Sequence, residues 1–497
     1  MTSTIQKTQE RPRSGLTLLD ALVCAYLALP LLLFCAWFKW PVALALVLLT
    51  GYAFVNALRG TQWRQVDLPW RTIALIGVIA LAWTALSGVG HFFYANLDWV
   101  TRDAVLRDLT TTPWPPMYAM DGAVPMILRA PVGFYLPVAA AGSVVGLQGA
   151  DFLLYLWTAF GFALVLWGAM SLFATRRERV ICAAVMLGFG GLDLIGMLVI
   201  GDGWPRPGAH IEWWARFAQY SSNSTLMFWV PNHALPAWLG LLVALRHWRQ
   251  PELARVTLLL ASSIALWSPL SAAGLVPFYL LGLNWRRDLA QLLSVRSGLP
   301  FLALAALVAR YVTMDTQSID RGWAIDVFRD QRMFWAVYAL FCLLEFGVLA
   351  LVLLRLRAVD LKAAVAVAIL LLLPFCRFGP GNDLVMRCSI PALAILALAC
   401  VKPLAASPRP IARTALAAIL AVGALGAAQE PERAVLAPRW GLTGQSLAQV
   451  SVAQSQGRPA VLPPNYVGRL IQPGLQALMR TPALVAPGAT ESTPSPR

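Results

Sequence analysis

The sequence has 497 residues, of which 59% are apolar and only 13% are charged. This balance excludes a disordered chain and an ordinary water-soluble protein. Apolar stretches close to the roughly 20 residues that span a bilayer core recur along the whole chain. The composition therefore indicates a polytopic helical membrane protein.

The apolar stretches predict an all-α fold with roughly 12 to 14 transmembrane helices. In chain order they cover residues 16–38, 41–58, 72–90, 131–145, 152–173, 180–200, 226–245, 256–283, 298–312, 333–354, 363–375, 389–401 and 411–428. The stretch 131–145 is short for a full crossing. The stretch 256–283 has basic residues on both flanks and a Trp267-Ser268-Pro269 sequence at its centre. It therefore predicts a broken or re-entrant hairpin.

The net charge of +15 would suit a nucleic-acid partner, but the positions of the basic residues favour a membrane instead. Seven clusters of Lys and Arg lie near the ends of the apolar stretches and hold 21 of the 39 basic residues. By the positive-inside rule these clusters mark the cytoplasmic side. We therefore expect a cytoplasmic N-terminus, no nucleic-acid partner, and outer loops at residues 91–130, 201–224, 315–332 and 377–387.

The last part of the chain differs in composition from the rest. After a transmembrane domain at residues 1–428, residues 429–497 contain ten prolines. This pattern predicts an extended or poorly ordered extracytoplasmic tail. All seven cysteines lie in or beside apolar stretches without a CxxC pair, so we expect packed thiols rather than disulfides or a cysteine metal site.

The first outer loop contains a run from Asn96 to Leu109 that predicts a short amphipathic helix at the membrane surface. Asn96 can cap this helix, and the pairs Asp98–Arg102 and Asp103–Arg107 are spaced i,i+4. Two interpretations follow. Either the charges only pair with each other at the surface, or Asp98 or Asp103 is a catalytic carboxylate that faces an aqueous cavity.

Asp193 is the third candidate for a catalytic acid. It follows two glycines inside an apolar stretch, roughly 10 Å from the outer end at 1.5 Å per residue. An ionisable group at that depth needs a cavity or a partner. We expect it to share an outer cavity with Asp98 and Asp103; the alternative is a structural pair with an arginine. Glu345 is a further buried acid, for which we expect structural pairing.

Other polar and aromatic residues of the loops are candidates for substrate binding. His233, between two prolines, either binds a phosphate or hydroxyl group or caps a gap in the backbone hydrogen bonding. The loop 377–387 has an arginine at each end and glycines between them, which suits either a phosphate clamp or an ordinary interfacial turn. The candidates are Arg102, Trp114, Tyr118, Glu212, Tyr220, His233, Arg377, Asn382, Asp383 and Arg387. No cofactor is indicated, and a divalent metal stays open.

The long first outer loop with acids on a juxtamembrane helix, followed by many spans, resembles the GT-C superfamily of membrane glycosyltransferases. Several short segments of the chain also resemble the sequences of a group of bacterial membrane proteins of this type. The segments that carry the likeness are Asp98-Trp99, Leu106-Arg107-Asp108-Leu109, Trp114-Pro115, Gly191-Leu192-Asp193, Trp229 to Pro236, and Gly381-Asn382-Asp383 through Pro391. The likeness reaches from about Ser14 to Ala428.

The resemblance implies a location in a bacterial cytoplasmic (inner) membrane and a polyprenyl-linked sugar donor. In GT-C families an acid of the first outer loop acts as the base, and basic residues of the outer loops hold the donor phosphate. Carried over, the base is Asp98 or Asp103 and the phosphate partner is Arg377 or Arg387. The paired acidic dipeptide of several such families is missing here, so the base stays open.

Two other functions remain alternatives at this point. A transporter or lipid flippase would use Asp193 and Glu345 as coupling or substrate sites in broken helices. A catalytically inactive scaffold of the same fold is the other alternative. The sequence indicates neither the sugar, nor the acceptor, nor the oligomeric state.

Overall fold

The computed structural model describes residues 15–120, 124–295, 298–456 and 458–486. The structure is 68% helical, so the fold is nearly all-α. The α-helices are α1 Leu18–Phe34, α2 Trp40–Ala57, α3 Trp70–Leu86, α4 Asp98–Thr111, α5 Val132–Met170, α6 Arg176–Gly188, α7 Asp193–Ile200, α8 Asn223–Trp229, α9 Pro231–Arg246, α10 Pro251–Trp267, α11 Pro269–Gly282, α12 Trp285–Leu292, α13 Gly298–Val312, α14 Gln331–Cys342, α15 Val348–Arg355, α16 Leu361–Leu372, α17 Asp383–Cys388, α18 Ile390–Ala399, α19 Val401–Ala406, α20 Pro410–Ala427, α21 Gln429–Leu436, α22 Leu447–Gln454 and α23 Pro473–Leu478.

Within the described residues, seven helical segments are long and apolar enough to cross a membrane. They are Leu18–Trp37, Trp40–Ala57, Val132–Met170, Arg176–Ile200, Gln331–Arg355, Asp383–Ala406 and Pro410–Leu436. Shorter apolar helices accompany them at Trp70–Leu86, Pro269–Gly282, Pro300–Val312 and Leu361–Phe375. This set of helices is compatible with a multi-pass membrane protein.

Helices α10 and α11 form a hairpin that returns to the end from which it starts. Arg249, just before α10, donates its backbone N–H to the carbonyl of Gly282 at 2.8 Å and its guanidinium to the carbonyl of Leu283 at 2.7 Å. Ser268 forms the tip, where its hydroxyl accepts the N–H of Ser271. The hairpin expected at residues 256–283 is therefore present.

Helix α5 also contains a reversal, at Gly146. This residue has φ 80° and ψ 174°, a conformation that a residue with a Cβ rarely adopts. On the two sides of the turn, the rings of Phe134 and Trp157 both lie about 6 Å from that of Trp267, at 6.0 and 6.1 Å. Residues 131–145, which are short for a crossing, therefore form the first arm of a second hairpin.

Short strands tie the C-terminal segment to the first loop. The strands are β1 Pro116–Tyr118, β2 Met126–Leu128, β3 Arg321–Trp323, β4 Cys376–Phe378, β5 Val467–Gly468 and β6 Ala483–Leu484. One sheet has the order β5-β2-β1-β6, and β3 pairs antiparallel with β4 in the other. The expectation of an extended or poorly ordered tail is wrong for residues 429–456 and 458–486. Apolar side chains of this segment, such as Leu447 and Leu475, are buried in the common core.

The long loops meet at one end of the helices, which we call the loop end. Arg129 of the first loop donates to the carbonyl of Met314, and the β3–β4 pairing joins the loops at 315–332 and 377–387. Basic turns meet at the opposite end, which we call the turn end: Arg255 donates to the carbonyl of Arg59, Arg287 to that of Arg249, and Arg409 to that of Arg355. For the described turns, the separation from the long loops that the charge pattern predicts is therefore present. The N-terminal basic cluster at residues 7–13 lies outside the described residues.

Arg246, the last residue of α9, joins three segments at the turn end. Its Nε donates to Asp20 Oδ1 and its Nη2 to Asp67 Oδ2, both at 2.8 Å. The hydroxyl of Thr17 accepts a further bond at 3.0 Å. The arginine side chain is 2% exposed, so the two carboxylates replace the water that its charge has lost.

Replacing Arg246 with glutamine should destabilise the protein strongly, because Asp20 and Asp67 would lose the arginine charge that both contact. Removing one partner of a buried pair costs about 3 to 5 kcal/mol. Thermal unfolding of the detergent-purified protein measures the effect. The exposed Arg71 provides the control, because R71Q should leave the melting temperature nearly unchanged. Equal decreases in the melting temperatures of R246Q and R71Q would contradict the conclusion that Arg246 holds the three segments together.

Candidate functional site

The helix expected in the first outer loop is present as α4, which begins at Asp98. The side-chain oxygen of Asn96 accepts the N–H of Asp98 at 3.1 Å and helps to start it. The expected surface location is wrong, because α4 is buried along most of its length. Helix α5 packs against it on one side and α22 on another. The carboxylate of Asp108 also accepts the N–H of Leu447 at 2.9 Å, which fixes α22 over α4.

A cavity of about 1240 Å³ lies at the loop end, beside the first turns of α4. Among the described residues, its charged lining consists of four arginines and two aspartates. These are Arg102, Arg129, Arg387, Arg458, Asp98 and Asp383. His210, His233, Trp213 and Trp229 also line it. The cavity therefore combines a positive surface with aromatic faces.

Asp98 is the one of the three predicted catalytic acids that lines this cavity. Its side chain is 49% exposed, and Arg102 Nη2 lies 3.5 Å from its Oδ2. The guanidinium of Arg102 also lies over the ring of Trp99, 5.2 Å from the centroid. Asp98 thus has the i,i+4 partner expected from the sequence and still presents its carboxylate to the cavity.

His233 of α9 and Ser268 of the hairpin tip bring two further polar groups to the cavity. His233 Nδ1 lies 2.7 Å from the hydroxyl of Ser268, and Ser271 donates to the backbone carbonyl of His233. His233 is therefore held by side-chain and backbone contacts to the tip. His233, Arg102 and Arg387 all line this cavity.

The two arginines of the loop at 377–387 lie in different surroundings. Arg387 lines the cavity and pairs with Asp383 at 3.1 Å. Arg377 does not line the cavity and forms a salt bridge with Asp320. Asn382, with φ 60°, is not in the lining either; its amide donates to the carbonyl of Cys376 and so shapes the turn. The glycine turn therefore presents Arg387 and Asp383 to the cavity, without Arg377.

Asp103 faces away from the cavity, and the expected Asp103–Arg107 pair does not form. Its carboxylate lies 3.1 Å from His91 Nε2, and Asp151 lies 3.1 Å from His91 Nδ1 on the other side. Burial opposes a charge on this imidazole, but the two carboxylates outweigh the burial and raise the pKa of His91 to about 10. The charged histidine therefore joins α4 to α5.

Asp193 lies in a separate buried group of acids. Its carboxyl group contacts that of Glu345 and lies near Glu212, and Trp214 donates to Glu345 Oε1 at 2.8 Å. The alternative of a pair with an arginine is wrong, since the close partner is another acid. Glu212 accepts bonds from Ser222, Thr225 and Gln219, and burial raises its pKa. Among the described residues, Asp98 lines the cavity at the loop end but Asp103 and Asp193 do not, so the three acids do not share a cavity as we expected.

Three aromatic candidates also lie outside the cavity lining. Trp114 donates to the carbonyl of Leu109, Tyr220 donates to the carbonyl of Leu370, and Tyr118 is buried in β1. Each therefore packs the protein around the cavity without lining it. All seven cysteines lie within the described residues and are free thiols. The described residues contain no group of three or more His, Cys, Asp or Glu side chains placed to hold a metal ion.

Sequence reasoning missed the cavity residues Arg129 and Tyr466, which are in contact: the backbone carbonyl of Tyr466 accepts the N–H of Arg129 at 2.7 Å. Arg129 precedes Pro131 at the end of the first loop, and its Nη1 donates to the carbonyl of Met314 at 2.7 Å. Tyr466 comes from the C-terminal segment. An aromatic residue directly after Pro463-Pro464-Asn465 is the signal that could have identified it, because poorly ordered tails contain few aromatic residues.

No protein-family model matches the chain, and no curated protein and no solved structure is significantly similar to it.

The stabilising contribution of His91 should depend on pH. Because its pKa is raised in the folded protein, its charge stabilises the fold fully below about pH 6.5, the ordinary value, and the effect is lost as the pH rises toward about 10. The gap in melting temperature between the wild type and H91Q should therefore narrow between pH 6.5 and 10. In the D103N variant, the melting temperature should depend less on pH over this range than it does in the wild type. A constant gap across this range would contradict the charged interaction.

Proposed function

We propose that the protein is a membrane glycosyltransferase that moves a sugar from a polyprenyl-phosphate-linked donor to an acceptor on the outer face of the membrane. The observation that carries the proposal is the cavity at the loop end, whose lining includes both the half-exposed carboxylate of Asp98 and the guanidinium of Arg387. The cavity thus contains a candidate base and a candidate partner for an anion. The tryptophans in its lining suit the apolar face of a sugar ring.

The proposed reaction is an inverting displacement at the anomeric carbon. The carboxylate of Asp98 takes the proton of the acceptor hydroxyl, while the hydroxyl oxygen bonds to the anomeric carbon. The bond between that carbon and the phosphate oxygen breaks, and its electron pair leaves with the lipid phosphate. Arg387 stabilises the charge on the leaving phosphate. Asp103 and Asp193, which do not line the cavity, have no part in this step.

The same proposal includes a GT-C-like fold, 12 to 14 crossings, and a bacterial inner-membrane location. The basic turns would lie in the cytoplasm and the loop end outside it. Contacts within the protein support this arrangement, because α10 and α11 start and finish at the turn end. In that orientation the cavity opens on the side where a lipid-linked sugar is used.

A transporter or lipid flippase is the second candidate, and one observation favours it. Asp193 begins α7 directly after a break in the preceding helix, and its partner Glu345 lies in a π-helical turn at residues 343–347. Acids at interrupted helices are typical of ion-coupled transporters. Substrate uptake into proteoliposomes that is lost in the E345Q variant but retained in the D98N variant would favour a transporter over a glycosyltransferase.

Replacing Asp98 with asparagine should abolish transfer without unfolding the protein. Loss of a general base typically lowers the rate by about 10² to 10⁴-fold. The measurement is the release of isoprenyl phosphate from a panel of isoprenyl-phosphate sugars in membrane vesicles, followed by mass spectrometry. The control is D320N, since Asp320 is an exposed acid outside the cavity. A D98N variant as active as D320N would contradict the assignment.

The two arginines of the glycine turn should behave differently when replaced with lysine. Lysine keeps the charge but cannot make the two parallel bonds of a guanidinium. R387K should therefore raise the KM for the donor by about tenfold or more, whereas R377K should change it little. Melting temperatures of both variants are measured alongside. An equal effect of the two substitutions would show that the position in the cavity does not matter.

A further inference from the structure

Two serines at the tip of the α10–α11 hairpin hold the imidazole ring of His233. Ser268 directly precedes α11, and its hydroxyl accepts the N–H of Ser271 at 3.3 Å, which caps the helix and fixes the side chain. His233 Nδ1 lies 2.7 Å from the same hydroxyl. The hydroxyl oxygens of Ser268 and Ser271 are 2.8 Å apart, and Ser271 donates to the carbonyl of His233 at 3.1 Å. These contacts form a closed ring of hydrogen bonds from His233 through both serines and back.

Only one arrangement of protons satisfies every contact in this ring. The carbonyl of His233 can only accept, so the single hydroxyl proton of Ser271 points toward it. The oxygen of Ser271 must then accept the hydroxyl proton of Ser268. Because that proton is used, the oxygen of Ser268 can only accept from Nδ1, which therefore carries a hydrogen. In the neutral imidazole the other nitrogen, Nε2, is then a hydrogen-bond acceptor without a proton.

The second ring nitrogen is the polar atom of His233 that is open to the cavity. His233 lines the cavity and is partly exposed, whereas Ser268 and Ser271 are buried. Among the described residues, no group is hydrogen-bonded to Nε2, and this atom is not one of the buried side-chain atoms that lack a partner. The backbone N–H of His233 donates to the carbonyl of Val230 at 2.9 Å, so the ring does not replace a missing backbone bond. Nε2 therefore offers a lone pair to a molecule in the cavity.

This acceptor differs from the arginines of the lining in what it can bind. Guanidinium groups only donate hydrogen bonds, so they suit the oxygens of a phosphate. An unprotonated ring nitrogen repels such oxygens and binds a donor such as a hydroxyl group. The phosphodiester of a lipid-linked sugar has no proton to donate, but the sugar has several hydroxyl groups. Of the roles that the sequence leaves open for His233, the geometry therefore favours contact with a hydroxyl.

We propose that His233 is a specificity-determining residue whose Nε2 accepts a hydrogen bond from a sugar hydroxyl of the substrate, and that Ser268 is the positioning residue that holds the ring in the required tautomer. The inference rests on the proposed function for the identity of the ligand as a sugar. It deepens that function by assigning His233 to the sugar and not to the phosphate. The hydroxyl of Ser268 is buried and fully hydrogen-bonded, so it acts through His233 and does not itself contact the substrate.

The first experiment determines the tautomer of His233. The chain has four histidines, so the rings are labelled with an NMR-active nitrogen isotope and the full chain is studied by solid-state NMR in bilayers. The signals lost in H233N identify His233. At slightly alkaline pH its Nδ1 should be protonated and its Nε2 bare, and S268A should give a mixture of both neutral tautomers. S262A is the matched control, because Ser262 donates to the carbonyl of Leu258 within α10, and it should keep the wild-type spectrum. A protonated Nε2 in the wild type overturns the proposal.

The second experiment tests whether this nitrogen contacts the sugar. Calorimetric titration of the full chain, in a detergent without a sugar head group, compares geranyl phosphate with geranylphosphoryl glucose, galactose and mannose. The wild type should prefer at least one sugar derivative over geranyl phosphate. H233N keeps an amide that can bond Ser268 but has no acceptor at the position of Nε2. It should reduce the preference by about threefold to tenfold, the value of one neutral hydrogen bond, and leave the affinity for geranyl phosphate unchanged. H233Q, whose amide oxygen can reach the position of Nε2, should keep part of the preference.

The outcomes separate this contact from the transfer reaction. If H233N weakens the binding of geranyl phosphate and of its sugar derivatives equally, His233 contacts the phosphate and the proposal is overturned. Equal affinity of the wild type for all of these ligands, or no binding, also overturns it. A preference lost in H233N, in a protein that transfers no sugar from any of these donors, supports the hydroxyl contact and contradicts the glycosyltransferase. Transfer that D98N abolishes, but that H233N changes neither in rate nor in sugar preference, supports the glycosyltransferase and contradicts the role of His233.

Discussion

Charged groups withdrawn from water lose hydration that only a close partner can replace, and the cost of leaving one unpaired is several kcal/mol. Most buried ions here satisfy that requirement across distant parts of the chain. Arg246 joins α1, α9 and the turn at Asp67, and His91 joins α4 to α5. These pairs fix the relative positions of the helices, because moving either partner would leave a buried charge without a counter-ion.

The cavity is one of the places where the requirement is relaxed. Within the part of the chain that the structure describes, Arg102 Nη1 and Arg129 Nε have no hydrogen-bond acceptor, and the carboxylate of Asp98 remains half exposed. Such groups are costly in an interior unless a ligand completes them. Arginines outnumber aspartates in the lining, so the charge of the cavity favours an anion over a cation. The acids around Asp193 form the opposite case, where negative groups lie together away from that cavity.

Periodicity and charge were enough to predict the helical fold, the separation of loops from basic turns, and the hairpin with Ser268 at its centre. These features depend on local composition, which the sequence displays directly. The identity of the cavity residues depends on contacts between remote segments. Asp98 and Asp103 have the same spacing from their arginines, yet one lines the cavity and the other is enclosed by His91 and Asp151. Nothing local distinguishes them. The prediction of an extended C-terminal tail was wrong because the prolines suggest an extended chain, although scattered apolar side chains of the segment are buried in the core.

The contacts of that segment also constrain when the protein can mature. Arg480 donates its backbone N–H to the carbonyl of Trp37, and Lys39 donates its own to Leu478, so residues more than 400 positions apart in the chain are neighbours. A ribosome delivers the end of α1 long before it delivers this segment. The loop end therefore cannot be completed until the C-terminal segment that contains Tyr466 has been synthesised. Until then the nascent chain lacks one wall of the cavity, and a prematurely terminated product would lack that wall permanently.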